Sequence, residues 1–373
     1  MRGFHFISLL ALSVLFIACV SAQQSTCNIS GRVIDDSTKA PIVNANVFIA
    51  NSMVGTSSDV NGSFELKAVP LGVHELVASC VGYHMSVRKV QLFSTEGQSV
   101  DFMLKPRSVD FAPVEVTAPR PAEWKENLKT FTKLLLGTTR EAEDCVIKNP
   151  EVLVFFADPS GRFEARSDKE LTIHNGYLGY RLHVNIGTFQ FDGRWLTSVW
   201  KVRFEDLLPA EEDQHSDWQK RRIIAYQGSL RHFLRVLING EPSEQGFEML
   251  NSESGNLNKL GYYSPVLKRR NVLSQVSPNV WKFQFRNFLV VVYDRKRVDG
   301  GFGQSVYDSR IGGARESPRY RSQASVLSLP KESLLLDLDG QLLDNLALKV
   351  SGDWGKEGVA RSLPLEYRGG DMK

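Results

Sequence analysis

The sequence predicts a mainly β protein, with an N-terminal β-sandwich followed by a larger antiparallel α+β domain that carries one helical hairpin. Three observations carry this expectation. Short alternating strands recur about every ten residues between positions 25 and 118, with turn residues between them. Pro119-Arg120-Pro121 then breaks the pattern, and each proline holds its neighbour extended. Beyond that break, strands alternate with one stretch of 3.6-residue apolar periodicity and a second, capped helix. The expected divisions are an export signal over 1–22, a sandwich over 25–118, a linker over 119–123 and an α+β domain over 124–373.

In the first region the expected strands are 29–34, 45–49, 63–66, 74–78, 87–90 and 100–104. Gly55, Asn61-Gly62, Pro70-Leu71-Gly72 and Gly82 punctuate them. Asp59-Val60-Asn61-Gly62 reads as a tight hairpin, because Asn-Gly tolerates the positive φ that a two-residue turn demands. After the prolines, Trp124, Leu128, Phe131 and Leu135 mark one face of a helix over 122–136. Strands are expected at 152–156, 163–166, 170–174, 180–186, 187–191 and 196–204. Ser216-Asp217 caps a second helix, which Gly228-Ser229 kinks or restarts and Asn239-Gly240 ends. Further strands follow at 281–294, 325–329, 334–337 and 346–350.

Composition narrows the function classes. Hydrophobic residues make up 42% and charged residues 23%, which excludes wholesale disorder. The formal charge of +3 argues against nucleic acid as a partner. Arg2, the apolar run Phe6 to Val20 and Val20-Ser21-Ala22 form an export signal, too short to span a membrane. The mature chain is then expected to have no transmembrane segment and to lie in the periplasm, at the outer membrane or cell surface, or to be secreted. Cys19 sits in a poor version of a lipoprotein box, since Phe16 is unusual there, and a lipid anchor at Cys19 is the lesser alternative. Removing 22 of 373 residues leaves 351, with Cys27, Cys80 and Cys145. Three thiols cannot all pair internally, although Cys27 and Cys80 share a domain and could bridge. No Cys/His spacing suits zinc, and no cofactor is expected.

The first region carries a resemblance. Ser30-Gly31-x-Val33, Pro41-Ile42-x-x-Ala45-x-Val47, Gly55-Thr56-x-x-Asp59-x-x-Gly62-x-Phe64-x-Leu66, Val69-Pro70-x-Gly72 and Val81-Gly82-Tyr83 follow in order. This series resembles the carboxypeptidase regulatory-like domain, which implies a transthyretin-like sandwich of about seven strands. The resemblance implies a folding, spacing or docking module in an exported protein, because the family's domain holds no zinc site of its own. No His of the mature chain has Glu three positions on, so the metallopeptidase itself is not expected. Asn149-Pro150, Leu178-Gly179-Tyr180, Ala225-Tyr226-x-Gly228-Ser229, Gly352-Asp353-Trp354 and Leu363-Pro364-Leu365-Glu366-Tyr367 extend the likeness across the second region. Together the two regions resemble exported Bacteroidetes proteins described only as carboxypeptidase-like regulatory domain-containing. That resemblance transfers no activity. An outer-membrane receptor barrel is not expected, since 255 residues follow position 118.

Motifs with chemistry are sparse. Leu334-Leu335-Leu336-Asp337-Leu338-Asp339-Gly340 resembles the first motif of haloacid-dehalogenase-like phosphatases. Gln341 replaces the required Thr, and only 33 residues follow Gly340, so an Asp-Gly turn is expected there instead. No nucleophile elbow or phosphate loop is present in the sequence, and Gly300-Gly301-Phe302-Gly303 reads as a loop. Two clusters remain. Arg222 with Tyr226, and His232 with Arg235, each share a helix face and are the candidate binding residues, for an anion or a sugar. Between Lys268 and Arg321, 12 Lys/Arg stand against four Asp/Glu, a solvated basic stretch. No catalytic and no metal-binding residue is expected. The sequence therefore points to an exported, non-catalytic envelope protein that binds a protein or glycan, with a hydrolase in the second domain as the alternative.

Overall fold

The computed structural model describes residues 25–107, 122–157, 162–167, 169–193, 196–257, 265–298, 321–343 and 348–369. The export signal with Cys19, the linker prolines and the Gly300–Gly303 loop lie outside the described residues.

The first region is a two-sheet β structure. Its strands are β1 Thr26–Asp35, β2 Asn46–Ile49, β3 Gly55–Ser57, β4 Ser63–Pro70, β5 Gly72–Ser79, β6 Ser86–Leu92, β7 Gln98–Ser99 and β8 Phe102–Leu104. One sheet runs β4-β1-β7 with β8 also on β1, and the other runs β3-β2-β5-β6. β7 and β8 both lie parallel to β1, at Ile29–Ser30 and at Val33–Asp35, so they are two pieces of one edge. The chain crosses closely between them. A Cβ on Gly31 would sit 2.0 Å from the carbonyl oxygen of Val100. Alternation along β1 and β4 buries Ile29, Val33, Phe64 and Leu66 against Val47, Leu76 and Phe102.

The Asp59–Gly62 turn departs from the expected hairpin. It joins β3 to β4, which belong to different sheets. Only Gly62 takes positive φ, at 73°, while the Asp59 carboxylate accepts the amides of Asn61 and Ser63, each at 2.8 Å. An Asx turn thus replaces the two-residue hairpin turn.

The remaining chain forms two larger cores and a smaller one around Leu250, Val290 and Val326. The helix α1, Ala122–Leu136, precedes β9 Cys145–Ile147, β10 Leu153–Ala157, β11 Phe163–Ser167, β12 Leu171–Asn175, β13 Tyr180–Phe191 and β14 Leu196–Asp206. These strands make an antiparallel sheet, β10-β11-β13-β12-β9, with β14 on the long β13. The two strands expected at 180–186 and 187–191 are one, interrupted by a bulge between Ile186 and Thr188. Phe131 and Leu135 of α1 pack on this sheet beside Leu153, Phe163 and Phe189.

Two helices follow, α2 Glu212–Tyr226 and α3 Leu230–Asn239. Then come β15 Phe247–Ser252, β16 Val266–Leu267, a short α4 Arg269–Val272, β17 Leu273–Ser277, β18 Val280–Phe283, β19 Phe288–Val298, β20 Arg321–Ser328, β21 Leu334–Asp337 and β22 Lys349–Gly352. One sheet runs β16-β15-β19-β20-β22 and a smaller one β17-β18-β21, and Phe233 and Leu237 of α3 share a core with both. The single strand expected at 281–294 is divided into β18 and β19, with Asn287 at φ 55° between them. The whole is mainly β, a sandwich followed by α+β structure. The stretch expected as one α+β domain carries separate clusters around α1 and around α3.

Candidate functional site

The α2–α3 junction organises the centre of the molecule. Gly228 has φ 72°, and a Cβ there would meet the Tyr293 ring at 2.4 Å, so glycine is required. Its carbonyl accepts the Trp354 indole N–H at 2.7 Å, and its amide donates to Nδ1 of His232 at 3.1 Å. The Ser229 hydroxyl caps α3 by accepting the His232 amide at 3.1 Å. Leu230, Arg231 and Leu234 thereby face a cavity of 440 Å³. The sandwich contributes Val73, His74 and Lys89 to its walls, and the turn after β21 contributes Gly340 to Leu343. Trp354, Glu357 and Arg361 line another side, and Leu363 and Leu365 a further one.

Residues 363–367 form a strap beside the cavity. Arg231 donates to the carbonyls of Leu363 and Pro364 at 2.8 Å, to Leu365 at 3.4 Å, and to Tyr367. Arg235 adds bonds to Tyr367 at 2.8 Å and Leu365 at 3.2 Å. The strap also binds the sandwich: the Leu365 amide donates to Asn51 at 2.8 Å, and the Glu366 carboxylate accepts the Met53 amide at 3.2 Å. Asn51 and Ser52 in turn exchange backbone bonds with Val202 and Phe204 of β14. Lys201 pairs with Glu75 at 2.5 Å across the same boundary. The three larger cores therefore meet at the cavity.

Burial dominates the electrostatics here. It lowers the Arg231 guanidinium to about 9, with Arg235 and Arg368 adding repulsion. Burial, reinforced by Glu141 and Asp353, pushes Glu357 well above the usual carboxylate range. Arg361 lies 3.2 Å from Glu357 and 3.8 Å from Glu141. Asp337, at the end of β21, is raised to about 6 by burial, although its Oδ1 accepts the amides of Asp339 and Gln341 at 2.9 Å. This is the Asp-Gly turn expected from the phosphatase-like motif, with Gly340 at φ 72°. Burial lowers the pKa of His74, whose Nε2 lies 2.7 Å from the Pro70 carbonyl oxygen.

The four expected binding residues separate. Tyr226 lines the cavity. Arg222 is buried on α2 and donates to Leu178 at 2.8 Å, Gly179 at 3.1 Å and Asp206 at 2.9 Å, its guanidinium 3.8 Å from the Tyr180 ring centre. His232 packs between Tyr226 and Phe247, each ring centre 5.0 Å away. Arg235 holds the strap. Cys27, Cys80 and Cys145 are free thiols.

Sequence reasoning missed Arg231, Glu357 and Arg361, which lie in three separate chain segments. It also missed a polar cluster on the outer face of the β13 sheet. There His183 lies between Glu170 at 2.6 Å and Glu205 at 3.0 Å, and Arg181 pairs with Glu205 at 2.6 Å. Its signal was available, since Arg181, His183 and Asn185 alternate at period two. Among the described residues no group of three or more His, Cys, Asp or Glu could hold a metal ion. Among the same residues no helix is long and apolar enough to cross a membrane.

Comparison with known proteins bears on the first region. Positions 29–116 match the family described as the CarboxypepD_reg-like domain. The regulatory-like domain thus contributes the β5 and β6 walls of the cavity. No curated protein matches the chain. Among solved structures, a type II cohesin-X-dockerin complex from Acetivibrio cellulolyticus aligns at 22% identity over 30% of this chain and 76% of that chain, with TM-score 0.19. A DUF3823 family protein from Parabacteroides merdae aligns at 9% identity over 48% and 81%, with TM-score 0.19. A candidate carbohydrate binding protein from Bacteroides uniformis aligns at 10% identity over 84% and 99%, with TM-score 0.18. At these TM-scores the likenesses carry no functional argument.

Proposed function

We propose that the protein is an exported, non-catalytic binding protein of the cell envelope whose central cavity receives part of a protein or glycan partner. One observation carries this reading: the cavity is walled by the regulatory-like domain and by both larger later cores. Its size falls in the range typical of ligand sites, and its walls combine apolar side chains with a few charged groups. The charged groups around it chiefly hold backbone or one another, as Arg231 holds the strap and Arg361 faces Glu357. The regulatory-like domain serves as the docking wall, and residues 124–373 act with it as one binding unit. Arg222 and Arg235 support that unit from within, while Tyr226 contacts what enters.

The test is capture of partners by the tagged chain from its host envelope, with a glycan array in parallel. Reproducible partners that are lost when Leu342→Trp fills the cavity are expected. No partner from either source, or a partner indifferent to Leu342→Trp, overturns the reading.

A hydrolase is the second reading, favoured by His183 held half-buried between Glu170 and Glu205 on the β13 sheet. Hydrolysis of envelope substrates that Glu170→Gln abolishes would establish it. Activity unchanged by that substitution, or none detected, would sink it.

A further inference from the structure

We propose that the cavity takes an amphipathic carboxylate, its apolar body against Leu230, Leu234, Leu342 and Leu363 and its carboxylate at Arg231. This rests on the reading that the cavity binds and adds which chemical group enters it. A guanidinium has five N–H donors. Four bonds of Arg231 go to main-chain carbonyls of the strap, from its two terminal nitrogens. Its Nε is buried and has no hydrogen-bond partner.

Charge points the same way. No carboxylate among the described residues lies within 4.0 Å of Arg231. Arg235 and Arg368 repel it, and Tyr226 and Glu366 offset this only in part. Arg361, the other cavity guanidinium, differs because it has Glu357 and Glu141 beside it. A buried cation satisfied only by neutral carbonyls is unfavourable, and an anion that forms a charge-assisted bond relieves it. Six leucines and two valines line the cavity beside aromatic and polar side chains, and a polyhydroxyl ligand would leave that apolar surface facing hydroxyl groups. A carboxylate on an apolar body satisfies both features. A fatty acid and a peptide C-terminus share this chemistry.

Trp354 lines the cavity and supplies a fluorescence readout on the full chain. Two matched pairs of probes decide the matter, decanoate against decanol and N-acetylleucine against N-acetylleucinamide. At least tenfold tighter binding of the acid in either pair is expected, and the pair that shows it identifies a lipid-like or a peptide-end ligand. Arg231→Met would also loosen the strap, so Leu342→Trp is the informative variant. It leaves the bonds of Arg231 in place and should weaken binding of the preferred acid at least tenfold. Acid and neutral probe binding within twofold of each other, no binding of either acid, or glucuronate binding as tightly as the better acid each overturns the proposal. A partner captured through the cavity without carboxylate preference would overturn this inference and leave the binding reading standing.

Discussion

The sandwich and the region around α3 bury their interiors by different means. In the sandwich, alternation separates apolar from polar side chains, so Ile29, Val33, Leu66 and Leu76 meet in a core of carbon atoms. Around α2 and α3, buried side chains include Arg222, His232, Arg235, Asp337 and Asp353. The arginines among them reach main-chain carbonyls far away in the sequence, Arg222 at Leu178 and Arg235 at Tyr367, as Arg231 reaches Leu363 across 132 positions. The first arrangement is local and rests on the hydrophobic effect. The second requires distant segments to arrive together, because a guanidinium buried without its acceptors is strongly unfavourable. Substitutions should therefore be tolerated well in the sandwich turns and poorly at the segment crossings.

The largest effect is expected where α1 meets the C-terminal segment. A Cβ on Gly358 would lie 2.2 Å from the carbonyl carbon of Leu136 and 2.4 Å from the Gly137 amide nitrogen. Gly358→Ala should cost about 3–4 kcal/mol, read as a lower urea midpoint at unchanged slope. A midpoint within error of the wild type would break the claim that this crossing is tightly determined.

Next is a pH dependence located in the second region. Burial raises Asp337 to about 6, so folding favours its protonated form. Its contribution is therefore fully present below about pH 4 and is lost as pH rises through about 6, by up to about 3 kcal/mol. Asp337→Asn should raise the urea midpoint at pH 7.5 and leave it little changed at pH 4. Glu357 and Glu366 are also raised by burial and carry the same sign, so a residual slope should persist in the variant. An identical pH profile for wild type and variant would refute the assignment.

Arg231→Met should cost about 2 kcal/mol through the bonds lost from the strap. Limited proteolysis should then cleave within 362–369 while the sandwich stays protected. Protection of that segment equal to the wild type would show that Arg235 suffices. The smallest effect belongs to the sandwich. Asp59→Ala removes two turn hydrogen bonds and should cost about 1 kcal/mol, with no change in strap proteolysis.

Legibility in the sequence follows the same division. The expected strands 63–66, 74–78 and 87–90 fall within β4, β5 and β6, because period-two alternation and glycine punctuation are local. The helix over 122–136 was legible from apolar spacing, whereas the second helix starts at Glu212, so Ser216 and Asp217 lie inside it and do not cap it. The break at Gly228 was legible as well, because glycine alone fits beside the Tyr293 ring. β15 gave no usable signal although it pairs along its length with β19. Its sequence, Phe-Glu-Met-Leu-Asn-Ser, is too short to separate from the end of a helical stretch. The Asp59 turn was recognised as a turn but misjudged as a hairpin, since turn chemistry does not say which sheet the next strand joins.

Of the candidate site, helix spacing grouped Arg222, Tyr226, His232 and Arg235, but it could not say which would face open space. Only Tyr226 lines the cavity. Arg231 lies one position from His232, and nothing local distinguishes a solvated arginine from one gripping a distant strap.

The sequence by itself determined the mainly β class, the regulatory-like domain and the turn chemistry at Gly62, Gly228 and Gly340. These depend on residues within a few positions of one another, where backbone sterics and alternation decide the outcome. Tertiary structure alone decided that three cores meet, that residues 363–367 are strapped by Arg231 and Arg235, and that a cavity opens between them. The physical reason is range. Closing contacts over more than a hundred residues is governed by the packing of whole sheets, which no local pattern encodes.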